Sequence, residues 1–89
     1  MARFEINSAE VAAMGHGAIT ADVFFQMGII HSTGRGVPAD MVAAHMWFNL
    51  AAAQGNGEAA RWRQEISKEM STAEIAEAQR QAREWMTRH

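Results

Sequence analysis

The side chains best suited to chemistry in this sequence are its histidines, because neutral imidazole is a common metal ligand and titrates near neutral pH. His16, His31, His45 and His89 stand in different parts of the chain. No pair sits at i, i+4, and neither H-E-x-x-H nor H-x-E occurs, so the spacing of a helix-borne metal site is missing. Only His31 and His45 could meet, across a helix hairpin, and they define one reading of the chain: a small-ligand or metal-binding regulator. For covalent catalysis the residues are poorer still. Ser8, Ser32, Ser67 and Ser71 read as helix caps or surface residues, and there is no G-x-S-x-G elbow. Gly34-Arg35-Gly36 is the nearest approach to a phosphate loop, but no strand precedes it and no Lys-Ser or Lys-Thr follows. Glu74, Glu77 and Glu84 form no carboxylate pair in an apolar setting. The chain is expected to be non-catalytic, with no cofactor and no metal.

A binding face is the stronger expectation. Around Val23 and Met27, the residues Phe24, Phe25, Ile29 and Ile30 make one helix apolar nearly all round, and something must cover it. One stripe packs on the paired helix. Phe25 and Ile29 lie i, i+4 on a different face, with Asp22 and Ser32 at its edges. These four residues are the candidate protein-binding site, unless a short N-terminal helix covers them through Val11 and Met14. Burying a Phe and an Ile contributes roughly 3–6 kcal/mol before association costs. That suffices for a peptide, a transient partner or a second copy of the chain when neighbouring contacts help.

The elements that position these residues are helices throughout, about five of them, since strand-like alternation never extends beyond a few residues. The first is capped by Asn7 or Ser8, runs through Met14 and is stopped by Gly15-His16-Gly17. Thr20 caps the second, Ala21 to about Ser32. Gly34 then supplies a left-handed residue and Gly36 a second positive φ. Pro38 and Asp40 open the third helix, which continues to Gln54 with Ala44, Trp47 and Leu50 on its face. Asn56 caps the fourth, Gly57 to Met70, with Ala59, Trp62 and Ile66 inside. Ser71-Thr72-Ala73-Glu74 is a capping box for the fifth, whose apolar stripe is Ile75, Ala78, Ala82 and Trp85. Gly28, in mid-helix, costs about 1 kcal/mol relative to Ala unless a neighbour needs the missing Cβ, and Trp47 of the paired helix is the expected neighbour.

Short helices joined by tight glycine turns suggest stacked repeats. Val23 and Ile30 have apolar counterparts 36 residues on, in Ala59 and Ile66. The residues Met27-Gly28, Gly34-Arg35-Gly36-Val37-Pro38-Ala39-Asp40, Ala44, Trp47 and Ala51-Ala52-Ala53-Gln54-Gly55-Asn56 resemble one full Sel-1-like repeat. The departures are Val23 for a small residue, Met27 for leucine and His31 for tyrosine. That resemblance implies a tetratricopeptide-like α-solenoid: one domain over residues 1–89, one clear repeat over 22–58 and a degenerate capping pair over 59–87 similar to the closing helices of bacterial members. It further implies a protein-interaction scaffold or adaptor whose inner surface is lined by the first helix of each pair, so that the Phe25 face is an inner face.

Composition narrows the partners. The chain has 89 residues, a net charge of −2 and no Cys, with 8 Lys and Arg set among 10 Asp and Glu. No basic stripe is available for nucleic acid or anionic lipid. MARFEINSAE lacks an apolar run of signal-peptide length, and no stretch of the sequence approaches the roughly 20 apolar residues that span a bilayer. The expected setting is cytoplasmic, and the expected partner a protein, a peptide or a twin.

Overall fold

The computed structural model describes residues 16–88, and the helix expected near Asn7–Met14 lies outside them. Four helices account for the described residues: α1 (His16–Thr33), α2 (Met41–Ala53), α3 (Gly57–Ser67) and α4 (Thr72–Arg88). No strand occurs among them. Helix α1 already includes His16 and Gly17, so Thr20 lies one turn inside it and cannot cap it, and the break expected at Gly15-His16-Gly17 does not fall at His16 or Gly17.

Side-chain caps set the remaining helix starts. Asp40 is the N-cap of α2, its Oδ1 accepting the Ala43 N–H at 3.0 Å, which leaves Pro38 and Ala39 in the connecting loop rather than in the helix. Asn56 caps α3 in the same way, accepting from Ala59 at 2.9 Å. At α4 the capping box is complete. The Ser71 N–H donates to Glu74 Oε1 at 2.8 Å and the Glu74 N–H donates to Ser71 Oγ at 3.0 Å. Helix α1 stops where Gly34 turns to φ 74°, with the Gly34 N–H bonded to the Ile30 carbonyl at 2.9 Å. Gly36, at φ 81°, then returns the chain to α2.

Helix α2 is the centre of the molecule. Among the described residues the three extensive helix–helix interfaces are α1 with α2, α2 with α3, and α2 with α4. Its buried residues, Ala44, His45, Met46, Phe48, Leu50 and Ala51, therefore point in several directions instead of along one stripe. Small residues let the neighbours approach: Ala44, Ala51, Ala59, Ala78 and Ala82 are all fully buried. The apolar stripe expected of α1 is incomplete, because Phe24 is buried but Val23 is 53% exposed. The outer face of α4 carries Glu77–Arg80 at 2.7 Å and Arg80–Glu84 at 3.5 Å, exposed pairs that solvent screens and that add little to stability.

Candidate protein-binding face

Phe24 and Phe25 are chain neighbours on α1, as Trp47 and Phe48 are on α2, and each pair divides its rings between two clusters. Phe24 lies 5.5 Å from Trp47 and 5.0 Å from Trp85, centroid to centroid, with Trp47 and Trp85 6.2 Å apart. Phe25 lies 5.8 Å from Phe48 and 5.9 Å from Trp62, with Phe48 and Trp62 5.8 Å apart. Each trio thus takes one ring from α1 and one from α2. The third comes from α4 in the first cluster and from α3 in the second. All six separations fall in the favourable range of about 4.5–7 Å, and three are edge-to-face.

The second trio reaches the surface. Trp62, read from the sequence as an interior residue of its helix, is 36% exposed. It lines a groove of about 650 Å³ together with Arg61, Gln64, Glu65, Ile66 and Lys68. Ile66 is half-buried and packs on the core beneath. The groove therefore has an apolar floor and charged rims, the arrangement in which an aromatic anchor contributes most to binding.

The four residues singled out on α1 occupy one side of that helix but are not equally available. Asp22 is exposed. Phe25 and Ile29 are half-buried against the core, Phe25 braced by Phe48 and Trp62. The Ser32 hydroxyl donates to the Ile29 carbonyl at 3.1 Å. The described cover of Phe25 is thus Trp62. The cover expected from Val11 and Met14 lies outside the described residues.

The histidines have separate partners. The Met27 carbonyl can only accept, so His31 Nδ1 donates to it, at 2.9 Å. His45 is 2% exposed and its Nε2 lies 3.1 Å from Ser67 Oγ. That hydroxyl spends its proton on the Arg63 carbonyl at 2.7 Å, so it accepts from His45, which places the imidazole proton on Nε2 and leaves Nδ1 buried without a donor. Burial first, and the Arg63 charge second, lower the His45 pKa below 6.5. No group of three or more His, Cys, Asp or Glu fit to hold a metal ion occurs among the described residues.

With this geometry in place, residues 25–56 match the Sel1 repeat family. That stretch is similar to a Sel1 repeat. No curated protein and no solved structure matches the chain. The matched stretch takes in the α1–α2 hairpin from Phe25 onward, the three positive-φ glycines Gly34, Gly36 and Gly55, Phe48 and the α3 cap Asn56. Trp62, which completes the second aromatic trio, follows the repeat and belongs to α3. That explains why the periodicity of α3 taken alone placed it inside: its ring is interior on the α1 side and open on the other. Sel1 repeats mediate protein–protein interaction. Among the described residues no helix is long and apolar enough to cross a membrane.

Proposed function

We propose that this chain is a non-catalytic interaction module in which the Sel1 hairpin and α3 together present an apolar face to a protein or peptide partner. The face runs from Asp22, Phe25, Ile29 and Ser32 on α1 to Trp62 and Ile66 on α3, with α4 serving as the closing helix of the solenoid. The observation that carries this reading is the position of Trp62, held edge-on by Phe25 at 5.9 Å while more than a third of it stays open beside the groove. A ring fixed from behind loses little rotamer freedom on binding, and aromatic anchors of this kind dominate interface energies.

On this reading Trp62, rather than Phe25, is the main anchor of the face. Much of the Phe25 area is already spent inside the fold, so Phe25→Glu would place a charge against Phe48 and disrupt folding along with binding. Trp62→Ala is the cleaner probe. Peptides selected from a random library on the immobilised protein should carry aromatic or aliphatic anchors and lose at least tenfold in affinity for Trp62→Ala, while circular dichroism shows the variant still helical. Equal affinity for both proteins would remove the face from consideration. Light scattering over a concentration series identifies a second copy as partner if a wild-type dimer becomes a folded monomer in Trp62→Ala.

A further inference from the structure

A second groove, of about 460 Å³, opens among α2, α3 and α4 and is lined by His45, Asn49, Arg63, Gln64, Ser67, Ile75 and Gln79. Its volume falls within the roughly 300–1,000 Å³ of ordinary ligand clefts. Its charge sets it apart. The groove beside Trp62 sets Glu65 among Arg61 and Lys68, and the one beside Trp85 sets Glu84 between Arg80 and Arg88. Here the described lining contains one cation, Arg63, and no carboxylate. The ion pairs of the described residues all lie elsewhere, on Lys68, Arg80 and Arg88.

Arg63 is also held in place. Its Nη1 donates to Asn49 Oδ1 at 2.7 Å, across from α3 to α2, which orients the guanidinium while committing a single one of its N–H groups. The other polar groups of the lining cannot neutralise it: His45 and the Ser67 hydroxyl are bound to one another, and Gln64 and Gln79 are neutral amides. A half-buried guanidinium with spare donors and no anion is matched by a planar group of charge −1 that accepts two parallel hydrogen bonds. A phosphate, with a charge of about −1.5 to −2, calls for more than one cation.

We infer that this groove binds a carboxylate, with Arg63 as its anchoring cation and the Gln64 and Gln79 amides as further donors. The groove shares Gln64 with the lining beside Trp62, but Arg63, Asn49 and Gln79 lie outside that lining, so either reading can fail without the other. The carboxylate can belong to a small organic acid or to an acidic residue or chain end of a protein.

The test is a titration of the full chain at constant ionic strength with N-acetylglycine, N-acetylglycinamide and inorganic phosphate, following the Arg63 Nε–H and the Asn49, Gln64 and Gln79 side-chain amides by NMR. N-acetylglycine should shift these signals saturably and the amide analogue should not. Arg63→Gln should weaken the response at least tenfold. Asn49→Asp places a carboxylate beside the guanidinium from within, and should abolish the response while leaving the melting temperature equal or higher, which a purely structural Asn49–Arg63 link would not predict. An acetylated acidic pentapeptide that binds more tightly than N-acetylglycine assigns the carboxylate to a protein, and equal affinity assigns a small acid. Unsaturable shifts, phosphate binding tighter than carboxylate, or full binding by Asn49→Asp would each overturn the assignment.

Discussion

The Phe48 ring occupies the space that a Cβ on Gly28 would need. An added methyl there would overlap Phe48 Cδ1 and Cε1 and lie 2.9 Å from Cζ. The α1–α2 crossing is therefore set by the absence of one side chain, and the neighbour that requires this is Phe48, not the adjacent Trp47 that helical spacing suggested.

Gly28→Ala tests this contact with its sign reversed from the usual one. In an open helix interior Ala is favoured over Gly by about 1 kcal/mol, whereas overpacking against a buried ring costs about 1–3 kcal/mol. The variant should melt several degrees below wild type, and Gly28→Ala combined with Phe48→Leu should recover part of the loss. Thermal melts of the three proteins decide it.

The two aromatic trios should respond differently to truncation. Phe48 is fully buried and joins the trio that includes Phe25 and Trp62, so Phe48→Ala should cost about 3–5 kcal/mol, a large part of the ~4–13 kcal/mol expected for a domain of this size. Trp62→Ala removes a partly exposed ring and should cost about 1–2 kcal/mol. Urea titrations followed by circular dichroism measure both.

Acid should act through His45. Its folded-state pKa lies below 6.5, so above that pH the imidazole is neutral in both states and stability does not depend on it. As pH falls below 6.5 the unfolded chain takes up the proton first, and stability is lost until the folded-state pKa is reached. Glu77 does not titrate in this window, being held down to about 2 by hydrogen bonds from Arg80 and Gln81. The melting temperature of wild type should fall between pH 6.5 and 5 more steeply than that of His45→Gln, whose amide can still donate to Ser67.

The helix caps should be additive. Asn56→Ala and Ser71→Ala each remove the acceptor of one free backbone N–H and should cost about 1 kcal/mol. They serve different helices, and the double variant should lose the sum within about 0.5 kcal/mol. Denaturant midpoints at constant slope provide the check.

Helix ends governed by a local rule were legible in the sequence. Asp40, Asn56 and the Ser71–Glu74 box sit where capping chemistry puts them, and Gly34 and Gly36 have the positive φ that only glycine adopts readily. What depends on three-dimensional neighbours was not legible. Thr20 has the side chain of a cap yet lies inside α1, because nothing in the apolar pattern marks how far back that helix extends. The face containing Phe25 was visible from spacing, but its partner Trp62 is 37 residues away and no periodicity links them. Arg63 gave no signal at all. On a helix rich in charge it reads as one more surface arginine, and only the arrangement of α2 against α4 shows that no carboxylate among the described residues lines its groove.

Because every extensive interface runs through α2, the instructions for assembling the described helices are concentrated in its 13 residues. Neutral drift should then be slow along Met41–Ala53 and fast on the outward sides of α3 and α4, so that copies of this chain can diversify what they recognise without renegotiating how they fold.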